Sequence, residues 1–137
     1  MTAEWPESVL RLEQFLKSLP MECLEKTVDP QHFGNRVLEY SDSVLMIRVV
    51  LDRGSWSIEI GGVGGPTQWH DIGLLRAMLS DEACALQEYS IEDQAFFLRQ
   101  NWPLITPLFD MAHRDDTFAA LAKLGERRSR KLFPRMY

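Results

Sequence analysis

Two adjacent apolar runs constrain this chain most. Val44–Leu51 reads Val-Leu-Met-Ile-Arg-Val-Val-Leu, nearly unbroken, of strand length and rich in β-branched residues. Ser55–Ile60 alternates, with Trp56, Ile58 and Ile60 on one face and Ser55, Ser57 and Glu59 on the other. A period of two does not suit a helix, whose faces repeat every 3.6 residues. Asp52-Arg53-Gly54 joins the runs as a short hairpin connection, with glycine available for positive φ. Arg36–Tyr40 is a third short strand, separated by the turn residues Ser41-Asp42-Ser43. The expected product is a three-stranded antiparallel meander.

Helical periodicity flanks this sheet. Pro6–Leu19 places Val9, Leu12, Phe15, Leu16 and Leu19 three or four residues apart, with Pro6 suited to the first turn and Pro20 at the end. Residues 21–34 fit a short helix or a loop equally well, and Asp29-Pro30 reads as a turn. Gly61-Gly-Val-Gly-Gly65-Pro66 leaves the sheet as a loop. Asp71 then caps a helix carrying Ile72, Leu74, Leu75, Met78 and Leu79. Ser90-Ile-Glu-Asp93 resembles a capping box ahead of Phe96, Phe97, Arg99 and Gln100. Pro103 and Pro107 interrupt that run near Asn101-Trp102, and Asp116 caps a last helix, Thr117–Leu124, ended by Gly125. The expected fold is α+β: an N-terminal helix, the meander, then three or four helices packed on one sheet face. At 137 residues and 45% hydrophobic, the chain suits one domain over residues 1–137.

Charge excludes some partners. The net −5 is an average: residues 123–137 hold six bases and one acid, and residues 1–122 hold nine bases and 19 acids. An acidic body of −10 repels phosphates, so nucleic acid is not an expected partner, and the basic tail is expected to close a helix or pack back on the body. No run approaches the ~20 apolar residues of a membrane span. The N-terminus lacks a basic region ahead of an apolar stretch, so a cytoplasmic location is expected. Cys23 and Cys84 are too few for a disulfide framework or a four-cysteine zinc module, and read as buried, inert thiols.

Catalytic patterns find little support. The glycine cluster is followed by Pro66-Thr67-Gln68-Trp69 rather than by the Lys-Ser/Thr pair of a phosphate loop, and G-x-G-x-x-G spacing is absent. His32, His70-Asp71 and Asp110 stand in the order of HD-type metal phosphohydrolases, but that fold is all-helical and Asp71 is expected to be consumed as a cap. Asp110 and His113 are three apart, enough to share a helix face and a metal, while a solvated loop with Asp116 as cap explains them without one. Whether His70, Asp71, Asp110 and His113 converge stays open at this level. The expectation is a non-enzyme with no cofactor and no metal.

A binding surface is what remains. Trp69 follows the glycine loop and is a candidate anchor, since interfaces favour tryptophan; a ring simply covering the sheet end is the alternative. With Asp71 and the acidic loop residues Asp110, Asp115 and Asp116 it forms the expected partner-binding set.

The pattern over roughly residues 44–133 resembles the small acidic immunity proteins encoded beside bacterial polymorphic toxins. It is carried by Asp52-Arg-Gly-Ser-Trp-Ser-Ile-Glu-Ile60, Trp69-His-Asp-Ile72, Phe97-Leu-Arg-Gln-Asn-Trp102, Ile105, Phe109, Thr117, Leu121-Ala-Lys-Leu124 and Arg127-Arg-Ser-Arg-Lys-Leu-Phe133. The resemblance implies an inhibitor that masks a toxin, commonly a nuclease, with acidic side chains in the place of nucleic acid. It transfers no individual site residue. An acidic, dimeric secretion chaperone is the alternative binder, disfavoured because no strand is expected after Ile60; an HD-like hydrolase is the enzymatic alternative. A protein partner is expected, with the chain a monomer or homodimer.

Overall fold

The computed structural model describes residues 5–31, 34–63, 68–82, 85 and 87–136. Five strands form one antiparallel sheet in sequential order: β1 (Glu22–Asp29), β2 (Asn35–Ser41), β3 (Leu45–Asp52), β4 (Ser55–Gly62) and β5 (His70–Asp71). Helix α1 (Glu7–Lys17) precedes it; α2 (Ile72–Leu79), α3 (Ile91–Gln100), α4 (Trp102–Ile105) and α5 (Arg114–Leu132) follow. The α+β class is as expected, but the sheet has five strands rather than three.

The β3–β4 hairpin is the predicted one. Arg53 (φ 51°) and Gly54 (φ 81°) both lie in the left-handed region, which is the type I′ geometry that matches strand twist. Asn35 of β2 pins the turn: its amide donates to the Asp52 carboxylate at 3.2 Å and its oxygen accepts from the Arg53 N–H at 3.0 Å. Alternation sorts the sheet into two faces. Leu38, Tyr40, Leu45, Ile47, Val49, Ile58 and Ile60 are buried beneath the helices. Val37, Glu39, Met46, Arg48, Val50, Ser57 and Glu59, in between, stay partly exposed.

The two extra strands were hidden for different reasons. All eight residues of β1 are exposed, so Glu-Cys-Leu-Glu-Lys-Thr-Val-Asp carries no burial periodicity; main-chain pairing to β2 alone makes it a strand. β5 pairs only Asp71 with Glu59 and His70 with Ile60, too short to leave a pattern. A strand therefore does follow Ile60, contrary to expectation, although it precedes α2. Cys23, on the exposed edge strand, is an exposed free thiol rather than a buried one, and its Sγ–H donates to the Glu25 carbonyl at 3.7 Å. Cys84 lies outside the described residues.

Helix ends also depart in part from expectation. Asp71 caps α2, accepting from the Gly73 N–H at 2.7 Å, and the Ser90 hydroxyl accepts from the Asp93 N–H at 3.2 Å at the start of α3. Asp116 does not cap the last helix. The cap position is His113, whose side chain makes no capping bond; Asp110, in the turn before it, accepts from the His113 N–H with its carboxylate and from the Arg114 N–H with its carbonyl, and Asp115 and Asp116 fall inside the first turn. Nor does Gly125 end α5, which continues to Leu132 through the Arg128–Asp71 ion pair at 2.6 Å. The basic segment from residue 123 is mostly the second half of this helix, packed back through Arg128. At its other end Phe118 lies so close to Gly62 that a Cβ there would sit 2.5 Å from the ring, so glycine at the end of β4 makes room for it.

One buried ionic contact ties α1 to the sheet. Glu13 is 6% exposed, accepting from Lys26 of β1 at 2.9 Å and from the Tyr40 hydroxyl of β2 at 3.1 Å. Burial alone raises its carboxyl, but the bonds from Lys26 and Tyr40 outweigh this and hold it below the ordinary range. Burial and the Glu13 charge together push the Tyr40 phenol up.

Because Glu13 ionises more readily folded than unfolded, its contribution is present above the unfolded value of about 4.5 and is lost as pH falls through the folded one. Tyr40, held neutral, takes stability away as pH rises past about 10. Glu13→Ala should cost about 2–3 kcal/mol at neutral pH in urea titrations and blunt the acid-side decline. Gly125→Ala should raise stability by about 0.5–1 kcal/mol, because a Cβ there meets only Leu74, at an ordinary 3.6 Å, inside a continuous helix.

Candidate functional site

The face of the sheet away from the helices carries a row of charge. Strand register aligns Glu25 with Glu39, Glu39 with Arg48, Arg48 with Glu59, and Glu59 with Asp71. Directly opposed residues share a face, so one line across all five strands holds four carboxylates and one guanidinium. At its centre Arg48 donates to Glu59 Oε1 from Nε at 3.1 Å and from Nη2 at 2.9 Å. The guanidinium carbon of Arg48 sits 4.3 Å from the centroid of the Trp69 ring, a cation–π contact at short range. Trp69, Arg48 and Glu59 are each partly exposed. Thr27 donates to Glu25 at 3.0 Å, orienting the outermost carboxylate.

The five expected partner-binding residues separate into two groups. Trp69 immediately precedes the short strand β5 at the sheet end, and Asp71 is its last residue. Asp110, Asp115 and Asp116 stand at the start of α5, 12 residues from Arg128 in the case of Asp116, or about 18 Å along the helix axis. Asp110 also receives a 2.8 Å contact from His113 Nδ1, which is the leading influence holding its carboxyl below the usual range. These three carboxylates serve the helix start, where the helix dipole favours negative charge.

Among the described residues, those in HD-type order form no metal-binding group. His70 and Asp71 are successive strand residues and so point to opposite faces. Asp71 is occupied by Gly73 and Arg128. His70 stacks on Phe118 at 5.7 Å between ring centroids, with Nε2 buried and without a hydrogen-bond partner among the described residues. Burial pushes its imidazole below its ordinary value. Among the described residues no three His, Cys, Asp or Glu side chains stand close enough to hold a metal ion. His32 and Gly64 to Thr67 lie outside the described residues.

Glu25, Glu39, Arg48 and Glu59 were not singled out from sequence. Their common parity within strands was visible for Glu59, but the row exists only once register is known, and β1 was not recognised as a strand. Comparison with protein-family models, curated proteins and solved structures finds no match.

His70 generates a pH test. The unfolded imidazole titrates near 6.5 and the folded one lower, so protons favour the unfolded state as pH falls below about 6.5. Thermal melts should show stability dropping from pH 7 towards 5, and His70→Phe should remove part of that drop while keeping the stack on Phe118. An unchanged drop would place its source elsewhere.

Proposed function

We propose that this chain is a non-catalytic protein-binding domain of the immunity type, whose uncovered sheet face seats against a basic surface of a partner toxin or enzyme. The carrying observation is the register line Glu25–Glu39–Arg48–Glu59–Asp71 with Trp69 stacked on Arg48. With Glu59 paired to Arg48 and Asp71 paired to Arg128, Glu25 and Glu39 leave the row net negative. Such a field steers a basic partner and speeds its encounter, whereas the buried area of an anchor holds it. Trp69 is that anchor: its ring is already oriented by Arg48, so little side-chain freedom is lost on binding. Arg48 itself is held by Glu59 and fixes the ring rather than repelling the partner.

The resemblance to small acidic immunity proteins agrees with this chemistry, since acidic groups that stand in for nucleic acid suit the basic active site of a nuclease. The body charge of −10 over residues 1–122 points the same way. His70 stacks on Phe118, Asp71 accepts from Gly73 and Arg128, and Asp110 accepts from His113, so the binding reading accounts for these residues without a metal.

The test is co-expression with a toxin encoded beside this chain, followed by calorimetry on the purified pair. Trp69→Ala should weaken binding by about 30-fold, a hot-spot loss near 2 kcal/mol. Glu25→Gln with Glu39→Gln, which leave the Arg48–Glu59 pair in place, should slow association and flatten its dependence on salt, leaving the melting temperature close to that of the parent chain. Full protection from the toxin by both variants would remove the sheet face from the interface, and absence of any inhibited neighbour-encoded toxin would remove the immunity reading.

A further inference from the structure

Resting on the reading of the open sheet face as the partner site, we infer that the element it receives is a single basic amphipathic helix lying across the strands. Strand register divides that face into lines running from strand to strand, and the lines differ in chemistry. Next to Glu25–Glu39–Arg48–Glu59 lies Thr27–Val37–Val50–Ser57, in which Val37 of β2 directly opposes Val50 of β3. This second line holds no charge, and Val37, Val50 and Ser57 are partly exposed on the side away from the helices. Beyond it a third line holds Asp29, Asn35, Asp52 and Ser55.

The two borders of the apolar line are unequal in charge. On one side Arg48 answers Glu59 and Arg128 answers Asp71, so Glu25 and Glu39 are left as adjacent carboxylates on β1 and β2. Trp69, stacked on Arg48, adds an aromatic wall to that side. On the other side Asp29 accepts from the Gln31 N–H and Asp52 from the Asn35 amide, and Arg53 of the turn follows directly, offsetting part of their charge. A partner element therefore needs an apolar stripe with bases along the edge that faces Glu25 and Glu39.

Spacing selects a helix over a strand. Along any one strand the apolar feature is a single residue: Val37 lies between Asn35 and Glu39, and Val50 between Arg48 and Asp52. A partner strand laid along them would repeat its same-face side chains about every 6.8 Å and meet those polar neighbours. Across the strands the apolar positions recur every ~4.8 Å. A helix advances ~5.4 Å per turn, so side chains at i, i+4 and i+7 fall on successive strands. Over the three spacings from β1 to β4 the two periods part by only ~2 Å, and about ten helical residues cover the line. Neighbouring lines stand ~6.8 Å apart, so a helix ~10 Å across, seated on the valines, reaches both borders. Lysine or arginine on its acid-facing flank can lay an aliphatic stem over Val37 and carry the charge to Glu25 and Glu39.

The experiment selects from a displayed library of helical segments of about 15 residues, randomised on one face, with the intact chain as bait. Expected are members with an apolar stripe bordered on one side by lysine or arginine. A selected segment, made as a free peptide, should gain helicity on binding by circular dichroism, and proline at its centre should weaken it by at least about tenfold. Val37→Thr with Val50→Thr keeps β-branching but places hydroxyls in the contact; it should weaken the peptide by about tenfold, with the melting temperature near that of the parent chain. Selection of no binder, binding without a gain in helicity, indifference to the central proline, or full binding by the threonine variant would each overturn the helix assignment. The sheet-face reading is judged separately, by Trp69→Ala with the toxin. A toxin that needs Trp69 but ignores Val37 and Val50 would keep that reading and lose the helix; a peptide that behaves as expected beside a toxin indifferent to the face would keep the helix and lose the toxin.

Discussion

A period of two through β3 and β4 governs this molecule. Placing Ile47, Val49, Ile58 and Ile60 on one face commits that face to a cover of helices, and commits Met46, Arg48, Val50 and Glu59 to the other. A slip of one residue would reverse every side chain, so the type I′ turn at Arg53-Gly54 and its Asn35 clasp fix the core and the open face together. The helices follow from this choice: α1 reaches the sheet through Glu13, and α5 through Phe118 against Gly62 and Arg128 against Asp71.

Asp71 shows how closely structural and binding roles can adjoin. It ends β5, caps α2 and receives Arg128 from the far end of α5. Through these contacts it holds the second half of α5 near β4, where Arg128 and Leu132 line a cleft together with Trp56. The same residue closes the register line on the open face of the sheet.

Much of the fold was legible because burial leaves a rhythm. The hairpin, the core faces of β2 to β4, the apolar stripe of α1 and the caps at Asp71 and Ser90 all rest on local spacing. The misses share a physical cause. β1 is exposed throughout and is a strand only because β2 lends it hydrogen bonds; β5 is two residues long. Gly125 ordinarily signals a helix end, but the Arg128 contact outweighs the modest cost of glycine within α5. Asp116 offered a good cap by type, yet Asp110 stood at the point where the chain first turns into the helix. For the candidate site, Trp69 was visible as a residue, whereas Arg48 beneath it and the aligned carboxylates were not.

By itself the sequence determined the α+β class, the hairpin at the centre of the sheet, the side of each central strand that must be buried, and the split between an acidic body and a basic end. These depend on residues near one another in the chain. Tertiary structure alone decided that Glu25, Glu39, Arg48, Glu59 and Asp71 form one line, that Asp110, Asp115 and Asp116 stand apart from Trp69, and that the basic end folds back onto Asp71 through Arg128. The reason is that register and helix docking bring together residues from different elements, as in the pairing of Arg128 with Asp71, 57 positions apart, and no local period encodes such pairings.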